Sequence, residues 1–320
     1  MSDPAVAAEP AAELVARAFD LGEVAGAPTF AARGELGYVW RLDTDRGPWA
    51  VKRLVLPVDE TTDGTTGEDV DFQLAARVAG VRLPRPRRTT TGRAVAVGPD
   101  GVGHRVYEWI DIDPDGRVDP ATAGGLLGTI HGVGWPAGDI DPWYRQPPPE
   151  DRWPGLVAAA RTAGAPWAEP LAARVDEIVA TTRRATGVVP SQVIRCHLDF
   201  NADNVVADRA GRVWVIDWEN SGAGDPAQEL AQSLCAVAGL GGIAPAARAF
   251  LDGYERAGGP GRLDDLDAFA MAFVVQTNLV AFFGQRWLDD SNPRDARRLA
   301  TMLPNLLTLA PAERLLDQLR

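Results

Sequence analysis

Lysine is almost absent from this chain of 320 residues: of its 32 basic side chains, 31 are arginine and one is lysine, Lys52. Arginine therefore carries the generic positive charge. The lone ammonium stands out, because a compact ammonium and a broad planar guanidinium suit different ligands. Cysteine is scarce too. Two thiols, Cys196 and Cys235, cannot build a disulfide framework or a cysteine-based zinc site. Long apolar runs are missing. The longest, Ala268 to Phe283, spans 16 residues and contains Gln276, Thr277 and Asn278. That is too short and too polar for a membrane span and predicts a buried helix. The opening segment lacks the basic and apolar regions of a secretory signal. With the reduced cysteines this gives an expected cytoplasmic setting. Finally, there is no basic excess. A net charge of −12 excludes a polyanionic partner such as nucleic acid and permits a cationic one.

What is present is globular, with 46% hydrophobic and 24% charged residues. Residues 11–19 have the apolar spacing of a short helix. Leu36, Tyr38, Trp40 and Leu42 alternate as in a strand, Asp45 to Pro48 form a turn, and Trp49 to Leu54 return. Lys52 thus belongs to a hairpin, where an isolated ammonium on an apolar strand reads as a phosphate ligand. Residues 57–67 read as a polar loop, with Thr66 and Asp69 marking a capped helix start and Val70, Leu74 and Val78 lying on one helix face. Two more strands are expected at Val95–Val97 and Val106–Ile110. After Asp111 the pattern turns helical, with Asp119-Pro120 and Asp225-Pro226 as helix starts.

One segment interrupts the helices. His197-Leu198-Asp199 leads through Asn204 into a predicted hairpin: strand 204–207, turn 208–211, strand 212–217. An even turn sets Asn204 opposite Val215, with Asp217 two residues further along the same face, roughly 7–8 Å away diagonally. An amide and a carboxylate at that separation suit Mg²⁺, whose remaining ligands are water and phosphate oxygens. Asp199, just upstream, is a carboxylate placed to accept a hydroxyl proton.

These residues, His197-Leu198-Asp199 with Asn204, then Ile216-Asp217-Trp218-Glu219 and Gly224-Asp225-Pro226, resemble the signature of aminoglycoside phosphotransferases and choline-kinase-like enzymes. They are more distantly similar to the catalytic loop of protein kinases. The resemblance implies an α+β, bilobal protein-kinase-like fold. Residues 1–110 would form an antiparallel-sheet lobe for nucleotide, residues 111–320 a helical catalytic lobe, with a hinge near 108–114. It further implies ATP and Mg²⁺ as cofactors, Asp199 as catalytic base, and Asn204 and Asp217 as metal ligands. Lys52 would hold the α/β-phosphates and pair with an acid of the following helix: Glu68, Asp69 or Asp71, with Glu68 favoured for reach. Glu108 to Ile110 would present backbone groups to adenine. His197 would orient its loop by hydrogen bonding, and Trp218 would pack behind Asp217.

The sequence departs from the family at Leu198, where glycine is common, at the Gly34-Glu35-Leu36-Gly37 turn, and at Glu229-Leu230-Ala231, where Asp-Leu-Ala is usual. The expected reaction is transfer of the ATP γ-phosphate to a hydroxyl of a small molecule, an aminoglycoside or other antibiotic, by a monomer or homodimer. Two alternatives within the fold are a kinase of an amino alcohol or sugar and a regulatory nucleotide binder without catalysis. Outside it stands an interaction module built on tryptophan-rich loops, for which Mg²⁺-ATP would have no effect on stability.

Overall fold

The computed structural model describes residues 10–34, 37–57, 60–238 and 244–319. Leu36 and the Gly34–Gly37 turn centre lie outside that range. The chain forms two compact units, residues 1–118 with 203–219, and residues 119–202 with 220–320.

The first unit opens with helix α1 (Ala12–Phe19), then strands β1 (Thr29–Arg33), β2 (Gly37–Thr44) and β3 (Gly47–Pro57), helix α2 (Glu60–Val78), and strands β4 (Ala96–Val97) and β5 (Val102–Glu108). The five strands make one sheet in the order β1-β2-β3-β5-β4. Tyr38, Trp40 and Leu42 are buried on β2, as their alternation predicts. Val15 and Phe19 of α1 pack with Leu42, Val51 and Val106 of the sheet. Two expectations fail here. The exposed edge strand β1 has no alternation to reveal it. The supposed loop at 57–67 is helix from Glu60 onward, so Thr66 lies inside α2 instead of capping it. Gly and Thr are weak helix formers, and tertiary context overrides them.

The chain continues through α3 (Pro120–Gly132), α4 (Pro142–Arg145), α5 (Arg152–Thr162), α6 (Ala168–Ala172), α7 (Val175–Ala185) and strand β6 (Ile194–Cys196). It then returns to the first unit for β7 (Val205–Ala207) and β8 (Val213–Val215). Strand β9 (Gly222–Gly224) and helices α8 (Pro226–Ala238), α9 (Ala244–Arg256), α10 (Ala270–Asp290), α11 (Pro293–Met302) and α12 (Leu309–Leu319) complete the second unit. Asp119 caps α3 by accepting the Thr122 N–H at 2.9 Å. The apolar run at 268–283 falls in α10 and the single helical turn before it. Buried Phe273, Val274, Val280 and Phe283 make it a core helix of this unit.

The β7–β8 hairpin was assigned by sequence to the second half, yet it is bound into the first unit. The Val215 N–H donates to the Arg82 carbonyl at 2.9 Å, the Asp113 N–H to the Ala207 carbonyl at 2.9 Å, and Ile112 bridges Asp208. Its register also differs from expectation by one residue. Val205 pairs with Val215 and Ala207 with Val213. The turn is odd because Asp208 faces Arg212, leaving three loop residues with Gly211 at φ +74°. Asp208 holds that turn. Its carboxylate accepts the N–H groups of Ala210 and Arg212, each at 2.9 Å, the Arg212 Nε at 2.7 Å and the Trp214 indole at 3.0 Å. Burial alone would raise its pKa, but these donors outweigh it and hold the carboxyl far below the usual range. Asp208→Ala is expected to lower the thermal unfolding midpoint and broaden the transition. An unchanged midpoint in a melting experiment would show that the turn forms without it.

Candidate active site

In the first unit a cavity of about 720 Å³ is lined by β1, β2, β3, the segment after β5, and the residues flanking the β7–β8 hairpin. Ala31, Val39, Ala50 and Ile110 supply apolar wall; Lys52, Asn204 and Asp217 supply charge and polarity. Of the residues expected at nucleotide and metal, Lys52, Glu108, Ile110, Asn204 and Asp217 border this one cavity and Glu68 does not.

Asn204 and Asp217 arrive there by a route different from the expected strand face. The Ile216 N–H donates to the Asn204 carbonyl at 2.9 Å, so Asn204 pairs with Ile216 rather than Val215. Asp217 has φ +60°, outside any strand conformation, so period-two counting stops at Ile216. Trp218 behind it is 2% exposed; its indole donates to the Val215 carbonyl at 3.0 Å and its ring meets Phe72 edge-on at 5.7 Å.

Lys52 is 6% exposed. Its ammonium donates to Asp217 Oδ1 at 2.9 Å and to Glu219 Oε2. Burial alone would lower the Lys52 pKa; the carboxylates of Glu219 and Asp217 outweigh it and hold the ammonium above its ordinary value. The favoured partner, Glu68, is thus replaced by Glu219. Glu68 sits on an exposed position of α2, where neighbouring Asp69 is buried. The sequence signal for Glu219 is its place in Asp217-Trp218-Glu219, two carboxylates bracketing a buried tryptophan.

Of the backbone N–H groups of Glu108 and Ile110, one is already used. The Glu108 N–H donates to the Arg85 carbonyl at 3.0 Å and is committed. The Ile110 N–H makes no hydrogen bond to another described residue. Gln73 of α2, fully buried at the cavity wall, also has neither amide atom bonded among the described residues. Unpaired buried polar groups are costly. A polar ligand filling the cavity would satisfy them. An apolar slot, uncommitted backbone and amide groups, an ammonium, and an amide–carboxylate donor pair fit a nucleotide with a divalent cation. Asn204 and Asp217 would hold the cation, and Lys52 the phosphates.

The second unit carries Asp199 on the loop after β6. Both carboxylate oxygens are held, Oδ1 by the Asn201 amide at 2.9 Å and Oδ2 by the Asn220 amide at 3.3 Å. Neither asparagine was singled out by sequence. His197, fully buried, accepts the Asp199 N–H on Nδ1 at 3.3 Å and meets Phe200 edge-on. Leu198 has φ +63°, which explains why glycine would suit that position. Leucine is tolerated because its N–H is captured by Glu229 and its buried side chain packs against Cys196 and Met271.

Glu229, 1% exposed, anchors the loop. It accepts the His197 N–H at 3.2 Å, the Leu198 N–H, and the His131 ring at 2.7 Å; His131 Nδ1 in turn meets the Tyr254 hydroxyl at 2.8 Å. His131, Cys196 and Glu229 bring three ligand-type atoms within 4.8 Å of one another. Both His131 nitrogens and both Glu229 oxygens are already committed, so the cluster is a loop anchor.

Several solved structures share this fold. Spectinomycin phosphotransferase with ADP and spectinomycin has a TM-score of 0.65 at 15% identity, covering 96% of this chain and 97% of its own. A microcompartment-associated aminopropanol kinase gives 0.61 at 15%, covering 97% and 98%. An amicoumacin kinase in complex with AMP-PNP, Ca²⁺ and Ami gives 0.59 at 15%, covering 94% and 92%. No curated protein matches the sequence. The fold is therefore the protein-kinase-like one, and a family model described as "Phosphotransferase enzyme family" matches residues 29–268, three quarters of the sequence. On that match the chain belongs to the phosphotransferase enzyme family.

Proposed function

We propose that this chain is an ATP- and Mg²⁺-dependent kinase of a small hydroxylated amine. The observation that carries the reading is the single cavity where Lys52, Asn204 and Asp217 meet an apolar slot edged by the uncommitted Ile110 N–H. The bound cation would neutralise charge on the phosphate oxygens. Asp199, held by Asn201 and Asn220, accepts the acceptor hydroxyl proton. The freed oxygen bonds to the γ-phosphorus as the bond to the β–γ bridging oxygen breaks, and ADP leaves.

The amine half of the reading rests on the second unit. Trp143 and Phe282 are exposed and meet edge-on at 6.3 Å. Asp141 caps α4 next to them, and Tyr144 packs against the buried cluster of Ile194, Cys196, Leu198 and Met271. The Arg286 guanidinium already lies over the Phe282 ring at 4.9 Å; Trp143 with the nearby Asp141 is the part that suits a cationic ligand, as does the net charge of −12. The structural neighbours include enzymes of spectinomycin, amicoumacin and aminopropanol. The test is ADP release from Mg²⁺-ATP across aminoglycosides, amino alcohols, macrolides and sugars. Turnover stimulated by amine-bearing alcohols is expected. Stimulation only by neutral sugars would overturn the acceptor class, and absence of both turnover and thermal stabilisation by Mg²⁺-ATP would overturn the kinase reading.

A further inference from the structure

We propose that Glu219 is the positioning residue for Lys52, so that the phosphate-binding ammonium is set by the segment carrying Asp217 and not by an acid of α2. This rests on the kinase reading above. The Lys52 ammonium has two carboxylate partners, and they differ in kind. The Asp217 side chain is 37% exposed and borders the cavity, where a divalent cation would draw it; the Glu219 side chain is 8% exposed, as is that of Lys52. With Asp217 turned to a cation, Glu219 is the carboxylate that still holds the ammonium.

Glu219 is itself fixed. Its Oε1 accepts the Tyr107 hydroxyl at 3.2 Å and lies 3.8 Å from the Arg105 guanidinium. Arg105 stands directly opposite Lys52 across the β3–β5 pairing. Like charges directly opposite one another on a sheet repel, and one buried carboxylate between them removes that repulsion. Loss of Glu219 would therefore push Lys52 away from Arg105 and onto Asp217, in competition with the cation for the same oxygen. On helix α2, Glu68 is exposed and not among the partners of Lys52.

The experiment is a double-mutant cycle on the full chain, with Mg²⁺-ADP binding measured by calorimetry and KM for ATP measured with any acceptor that turns over. Variants are Glu219→Gln, Lys52→Met, their combination, and Glu68→Ala. Glu219→Gln is expected to weaken nucleotide roughly tenfold or more, the size of one charge-assisted hydrogen bond. The double variant should be no weaker than Lys52→Met alone, and Glu68→Ala should match the wild type. Wild-type affinity in Glu219→Gln, full additivity in the cycle, or a change confined to the Mg²⁺ requirement would overturn the proposal; the last would make Glu219 a metal ligand. If Glu219→Gln does not fold, Glu219→Asp, which keeps the charge on a shorter arm, enters the same cycle. A wild-type chain that binds no Mg²⁺-ADP would instead defeat the kinase reading itself.

Discussion

Asp199→Asn is expected to reduce acceptor-dependent turnover roughly 10²- to 10⁴-fold, the range supplied by a general base, with Mg²⁺-ATP binding unchanged. The two effects separate because the residues do. Every residue lining the cavity belongs to the first unit, and Asp199 belongs to the second. The substitution is nearly isosteric. An asparagine oxygen can still accept from Asn201 or Asn220, though its NH₂ must then face the other donor. Loop geometry should survive while the proton acceptor is lost. The check pairs ADP release with calorimetric Mg²⁺-ATP binding on the same preparation. Turnover retained at the wild-type level would remove Asp199 from the mechanism, and lost binding would show that it supports the nucleotide as well.

The members of the candidate site were legible in the sequence where the signal was local. A lone lysine in an apolar strand, and the run from His197 through Asn204 to Asp217 that carries the family resemblance, marked Lys52, Asn204 and Asp217, which the structure brings to one cavity, though not through the strand register that spacing had suggested. What escaped was decided by tertiary or conformational detail. The hairpin register turned on whether Asp208 ends β7 or pairs with Arg212, and a side chain accepting four hydrogen bonds chose the latter. The early start of α2 ran against the weak helix propensity of its Gly and Thr residues. The partner of Lys52 could not be read from helix acids, because it lies 167 residues away in the chain. Nor could sequence show that the Glu108 N–H is spent on Arg85 while that of Ile110 is not.

Glu229→Gln tests the anchor of the loop that carries Asp199, and the largest loss of stability is expected there. The carboxylate is buried and receives three donors: the His197 and Leu198 N–H groups and the His131 ring. A glutamine keeps one acceptor oxygen and turns an NH₂ toward groups that themselves donate. Each buried donor left without an acceptor costs about 1–3 kcal/mol. Leu198 adds to the loss, since its left-handed backbone, φ +63°, is held partly by that bond. Turnover should fall with stability because Asp199 follows Leu198 directly. The pH dependence has a definite sign. Burial pushes the Glu229 carboxyl up, but the His131 hydrogen bond, the charges of His131 and His197 and the Leu198 N–H outweigh it, leaving the pKa below its ordinary value. A pKa lowered by folding contributes stability that is complete above the unfolded value of about 4.3 and is lost as pH falls through the folded one. The gap in denaturation midpoint between wild type and Glu229→Gln should therefore be full near neutrality and narrow below about pH 4. Equal midpoints at neutral pH would show that the loop holds its shape without this carboxylate.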